Sequence, residues 1–222
     1  MTSPKTRVAV LISGSGSNLQ ALIDGQQSGE LPIDIVAVIS NRPDVRGLTR
    51  ARDAGINAIT LDHKEYDSRE AFDRALTEQL DALQPQLVVL AGFMRILTPA
   101  FTNHFAGRML NIHPSLLPKY QGLHTHQRAL EAGDTEHGVT VHFVTAELDG
   151  GPAAIQAVVP VVASDDAASL AARVQQQEHI IYPMAVRWFC EGRLVMNANR
   201  VLLDGEPLPP SGYQVRNSQP QA

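Results

Sequence analysis

Short apolar runs rich in β-branched residues alternate along the chain with stretches whose apolar residues recur every three or four positions. The runs Arg7–Ile12, Ile33–Ser40, Asn57–Leu61 and Gln86–Ala91 predict buried strands. Between them the spacing predicts a helix over Asn18–Gln27, with Leu19, Leu22 and Ile23 on one face. A short helix over Gly47–Ala54 follows, with Gly55 as the left-handed residue past its end. A third covers Ser68–Leu83, where Phe72, Leu76, Leu80 and Leu83 form a stripe and Asp67 and Glu70 have capping-box spacing. Further on, Arg108–Ile112 predicts a fifth strand and His126–Ala132 a helix. Val139–Val144 and Ala154–Val162 predict two more strands, joined through the Gly150-Gly151-Pro152 turn. A long helix is expected over Asp166–Glu191, with Leu170, Val174, Ile181, Met184 and Trp188 on one side and a kink at Pro183. From Pro207 onward a Pro-rich, polar tail is expected to be loosely ordered.

This alternation predicts an α/β fold: a Rossmann-like open twisted sheet, mostly parallel, with helices on both faces and a mixed C-terminal extension. A chain of 222 residues with 44% hydrophobic and 18% charged residues is long enough to bury one large core, and a single domain is expected. A net charge of -5 is a poor match for a polyanion, so no nucleic-acid partner is expected. The one cysteine, Cys190, excludes an intrachain disulfide and leaves a Cys-based zinc site without partners. Within Trp188-Phe189-Cys190 it reads as apolar filler. The opening MTSPKTR is neither a signal peptide nor a membrane span, and a soluble, cytoplasmic protein without membrane partners is expected.

Three motifs can carry chemistry. Gly14-Ser15-Gly16-Ser17-Asn18 directly follows the first strand and opens the first helix, where backbone amides and the helix N-terminus favour an anion. A dinucleotide fingerprint would need a small residue where Leu19 stands, whereas Ser17 and Asn18 suit a terminal phosphate; a tight turn with an Asn cap and no ligand is equally consistent with the composition. Asn111-Ile112-His113-Pro114 ends a strand, the place where open α/β sheets bind ligands. An amide beside an imidazole can stabilise an oxyanion and move a proton, although strand-end Asn and His residues also satisfy local backbone groups. In Glu147-Leu148-Asp149-Gly150-Gly151 the glycines allow a sharp turn that can push Asp149 back toward the sheet edge, and a carboxylate near His113 would favour the imidazolium and orient the ring; Asp is also simply common in turns.

His124, His126, His137 and His142 have no recognised metal spacing, and no metal is expected. Read alone, Arg69 and Glu178 are solvated helix positions, and Gly92–Leu97 is core running into a loop.

Taken together, LISGSGSNLQALI, VVLAGFMRILTPAF, NIHPSLLPKYQGLHTHQRAL and HGVTVHFVTAELDGGPAAIQ closely resemble the glycinamide ribonucleotide formyltransferase family from about Val8 to the tail. The resemblance implies transfer of a formyl group from 10-formyltetrahydrofolate to glycinamide ribonucleotide in purine (IMP) synthesis. It implies Asn111, His113 and Asp149 as the catalytic trio and Gly16, Ser17 and Asn18 as the phosphate loop. Arg69 and Met94, Arg95, Ile96 and Leu97 match folate contacts, the latter four largely through backbone, with Asn111 beside the folate as well. Glu178 matches a residue that holds the glycinamide end. On this reading about residues 1–100 form a phosphate-binding half, about 101–205 a folate-binding and catalytic half, and about 206–222 a flexible tail, in a monomer or homodimer. Ser15 and Ala153-Ala154 depart from the family's usual residues, outside the trio.

The nearest rival within the superfamily is a formyltetrahydrofolate hydrolase, which carries an extra domain in front and does not need the phosphate loop. A methionyl-tRNA formyltransferase would carry a further RNA-binding domain. A non-catalytic binding module would not need Asn111, His113 and Asp149 together. A nicotinamide enzyme is disfavoured by Leu19 and by Ser40-Asn41 where an acidic residue would end the second strand.

Overall fold

The computed structural model describes residues 4–217, which divide into two compact units, one up to Asn111 and the other from Ile112 onward. In the first unit, strands β1 (Thr6–Ile12), β2 (Ile33–Ser40), β3 (Ala58–Thr60), β4 (Leu87–Leu90) and the start of β5 (Met109–His113) lie in the order β3-β2-β1-β4-β5, all parallel. Val8 through Ile12 and Leu87 through Val89 are fully buried, as unbroken β-branched and Leu runs must be when a strand is covered on both faces.

Helices α1 (Ser17–Ser28), α2 (Arg46–Asp53), α3 (Arg69–Leu83) and α4 (Pro99–His104) fill the connections. Phe72, Leu76 and Leu80 of α3 are buried as the stripe predicts, each contributing about 1.5–3 kcal/mol by leaving water. The cap of α3 differs from expectation. Ser68, in extended backbone, accepts the Ala71 amide at 3.0 Å, so Ser68 rather than Asp67 is the capping residue. The six-residue α4 was not expected, although Thr98 caps it and Pro99 starts it.

In the second unit, β6 (Glu136–Phe143) and β7 (Ala153–Pro160) pair antiparallel, and β11 (Tyr213–Arg216) adds to β7 in parallel. Helix α5 (Thr125–Glu131) precedes β6 and α6 (Ala167–Cys190) follows β7; the two helices pack on each other, α6 also covering β6 and β7. Asp166 and Ser169 close a reciprocal capping box at the start of α6. The helix runs on through Pro183, and its buried face passes to Tyr182, Ala185 and Val186, leaving Met184 and Trp188 only half-buried. A small antiparallel sheet, β8 (Leu194–Asn197), β9 (Arg200–Leu203) and β10 (Glu206–Pro207), completes the unit.

The mostly parallel α/β class and the mixed extension agree with expectation. The loosely ordered tail does not: its residues 213–216 form β11, held by the β7 ladder and by the Arg216–Glu136 ion pair at 2.8 Å. Residues 218–222 lie outside those described. Among the described residues no helix is long and apolar enough to cross a membrane.

Candidate active site

In the first unit the Gly14–Asn18 loop leaves the C-terminal end of β1 and enters α1. Gly16 is left-handed (φ 73°) at the helix N-cap, and a Cβ there would lie 2.8 Å from the Gly47 Cα, so only glycine fits this crossing with α2. The first turn of α1 holds no acidic side chain, so no carboxylate within it opposes an anion at its positive end. Ser17 and Asn18 are half-buried in that turn. Arg50 of α2, not singled out by the sequence, donates from Nε to the Ser15 carbonyl at 2.7 Å and from Nη1 to Gln20 at 3.2 Å. This fixes a cation beside the loop, and only the fold could reveal it.

The Gly92–Leu97 segment follows β4 in the same unit and is held at both ends. The Met94 amide donates to the Ser13 hydroxyl at 2.8 Å, and that hydroxyl donates to the Asn41 side-chain oxygen. At the far end the Thr98 amide donates to buried Asp73 at 2.7 Å, and the Arg95 guanidinium lies 4.6 Å from the centre of the Phe72 ring. Met94 and Ile96 remain 66% and 49% exposed, an apolar strip on fixed backbone, while Leu97 is buried. Arg69 is exposed at the first position of α3.

Along β5, Asn111 closes the first unit and Ile112 opens the second, with His113 next in the chain. Asn111 and His113 stand two residues apart on one strand and so share a face. In the second unit His113 and Asp149 come together, with Nδ1 of the ring 3.6 Å from Oδ1 and each side chain 9% exposed. Asp149 is left-handed (φ 50°), and the Gly122 amide donates to its Oδ2 at 3.0 Å. Gly151 is required two residues on, since a Cβ there would strike the Phe143 carbonyl oxygen at 1.8 Å. The other ring nitrogen of His113, Nε2, lies 2.7 Å from the Tyr120 carbonyl.

Around this pair, burial first of all pushes down the pKa values of His126, His137 and His142, that of His137 to about 4. They are neutral near pH 7, and Nδ1 of His126 meets Nε2 of His137 at 3.1 Å. Glu178 is half-buried on α6. Among the described residues no cluster of His, Cys, Asp and Glu could hold a metal ion.

The described geometry is accompanied by extensive likeness to known proteins. The formyl transferase family model matches residues 6–186. The phosphoribosylglycinamide formyltransferase of Escherichia coli (strain K12) is 59% identical over 206 residues, 93% of this chain and 97% of that protein. The trifunctional purine biosynthetic protein adenosine-3 of Drosophila melanogaster is 48% identical over 199 residues, 89% of this chain but 15% of that longer protein. The solved phosphoribosylglycinamide formyltransferase of Coxiella burnetii superposes with a TM-score of 0.91 at 52% identity, covering 95% of this chain and 99% of that one. With near-complete coverage in both directions, the chain belongs to the formyl transferase family, among the phosphoribosylglycinamide formyltransferases.

Proposed function

We propose that the chain transfers the formyl group of 10-formyltetrahydrofolate to the amine of glycinamide ribonucleotide, with Asn111, His113 and Asp149 as its catalytic residues. The observation that carries this reading is the approach of two nine-tenths-buried groups, His113 and Asp149, at the end of a strand in a chain of this family. In the first unit, the Gly16-Ser17-Asn18 turn takes the ribonucleotide phosphate on its amides, with Arg50 beside it. The exposed Met94 and Ile96 side chains and the backbone between Met94 and Leu97 take the flat folate ring, and Arg69 takes a carboxylate of its tail. In the second unit, Glu178 accepts from the amine end of the glycinamide.

The amine nitrogen attacks the formyl carbon, and the carbonyl electron pair moves onto oxygen. Asn111 and protonated His113 donate to that oxyanion; one such donor in a water-poor site supplies about 3 kcal/mol. Collapse breaks the bond from the formyl carbon to the folate nitrogen. The attacking nitrogen sheds one proton, accepted through water by Asp149, and the departing folate nitrogen gains one from His113. The charge balance closes with no metal and no covalent enzyme intermediate. Because Nε2 of His113 faces a carbonyl, Nδ1 is the nitrogen left to perform both donations.

The test is deformylation of a 10-formyl folate followed by absorbance, with and without glycinamide ribonucleotide. Deformylation that needs the ribonucleotide and yields formylated product supports the transferase. An equal rate without it makes water the acceptor and replaces this reading by a hydrolase.

A further inference from the structure

His113 has two ring nitrogens, and the structure assigns them different partners. Nε2 lies 2.7 Å from the Tyr120 carbonyl oxygen, which can only accept, so Nε2 carries the hydrogen. With the ring turned this way, Nδ1 faces Asp149. The other neutral tautomer would set a lone pair against the carbonyl oxygen and is excluded while that contact lasts.

The carbonyl is not held there by regular structure. It belongs to the loop between β5 and α5, and Tyr120 itself sits in left-handed backbone (φ 56°), which costs a non-glycine residue about 1–2 kcal/mol. The Ser115 hydroxyl reaches the carbonyl itself at 3.3 Å, and Asp134, just beyond α5, restrains the side chains of Lys119 and Tyr120. Its Oδ2 accepts the Tyr120 phenol, and its Oδ1 accepts the Lys119 ammonium at 2.9 Å. Its own amide is tied to the Ala129 carbonyl at 3.1 Å. One carboxylate thus pulls on two consecutive residues. The Arg128 guanidinium lies 5.1 Å from the Tyr120 ring centre, and Ser115 donates to the Lys119 carbonyl at 2.6 Å. The Tyr120 bond, more than any other contact, holds the Asp134 carboxyl below the usual carboxylate range, and the same bond raises the Tyr120 hydroxyl. Acceptor and donor therefore both keep their roles across neutral pH. The remaining titratable neighbours of His113 are Asp149, His126, His137 and His142.

We propose that Asp134 and Tyr120 are positioning residues for the formyl transfer: the carboxylate anchors the phenol, and the anchored Tyr120 carbonyl locks His113 as the Nε2–H form, with Nδ1 turned toward Asp149 as the nitrogen that handles the proton. This rests on the reading of His113 as a catalytic residue. Neither side chain has to touch substrate, and neither was distinguished by sequence pattern.

The experiment compares the full-length protein with Tyr120→Phe, Asp134→Asn and the double variant, each labelled with nitrogen-15 in histidine. Ring nitrogen spectra at alkaline pH read the neutral tautomer of His113, and steady-state kinetics read kcat and KM for both substrates. In the wild type His113 shows hydrogen on Nε2 alone. In each single variant the tautomers mix, kcat falls about tenfold, as for other outer-shell supports, and both KM values stay within about twofold. The double variant falls no further than the worse single one, because the two residues act as one unit. A single variant that keeps Nε2–H unmixed, or keeps kcat, overturns the proposal; Tyr120→Phe deletes one oxygen only, so this outcome stays readable if Asp134→Asn unfolds. Near wild-type turnover in His113→Ala would instead overturn the catalytic reading of His113, a result the tautomer spectra do not touch.

Discussion

Nδ1 of His113 and Oδ1 of Asp149 stand 3.6 Å apart with both side chains 9% exposed, an ion-pair contact that falls short of a formed hydrogen bond. Catalytic contacts commonly tighten only when substrate is bound. Asp149→Asn preserves shape and removes the carboxylate charge. The expected result is a fall in kcat of about a hundredfold or more, with ribonucleotide affinity by calorimetry changed less than about threefold. Parallel losses in both would mean that Asp149 holds substrate instead.

Gly16 and Gly47 set the spacing of the phosphate loop against α2. Gly16→Ala places a Cβ 2.8 Å from the Gly47 Cα in a left-handed position, so strain and overlap add. A loss of about 2–3 kcal/mol, or a melting temperature lower by roughly 5–10 °C, is expected, together with weaker ribonucleotide binding. An alanine variant with wild-type melting and affinity would show that the loop relaxes freely and has no fixed cradle.

How far the sequence predicts this arrangement depends on the range of the forces involved. Unbroken runs such as Val8–Ile12 are local signals of double-sided burial, and the strands they predict are present. Asp67 and Ser68 are both good capping residues by type; the choice of Ser68 is made by backbone angles that residue type does not encode. Some signals were present and unread. Thr98-Pro99 is a helix start, and Asp204-Gly205, both at positive φ between β9 and β10, is a hairpin turn. Arg50 beside Ser15, Ser13 under Met94 and Asp134 on Tyr120 depend on contacts distant in sequence, so no window of periodicity contains them.

Ser13 tests whether the 92–97 segment must be fixed. Its hydroxyl accepts from the Met94 amide at 2.8 Å and donates to Asn41, with Ser13 and Asn41 each 3% exposed. Ser13→Ala leaves that amide and the Asn41 oxygen without this partner, at a cost of about 1–3 kcal/mol. If backbone at 94–97 binds the folate, KM for the formyl donor rises several-fold while ribonucleotide affinity is kept. An unchanged donor KM in a folded variant would remove this segment from the folate site.

Acid sensitivity should begin well above the carboxylate range, and His137 is the reason. Burial, then repulsion from His126, lowers its pKa from 6.5 in the unfolded chain to about 4 in the folded one. Between those values the unfolded chain binds the proton and the folded chain does not. The stability contributed by neutral His137 is therefore complete above pH 6.5, declines as pH falls toward about 4, and declines no further below it. The loss from this group amounts to about 2 kcal/mol by about pH 4.5, or a melting temperature lower by roughly 5 °C. His126 and His142, both shifted down by burial, add in the same direction. Asp134 and Asp165, whose folded values lie below the unfolded 3.8, lose their contribution only at lower pH, so the two windows separate. Denaturant titrations of the wild type and of His137→Asn between about pH 7 and pH 4.5 check this: the variant should start less stable and lose less. Equal pH slopes in the two proteins would show that His137 already carries its proton in the folded chain.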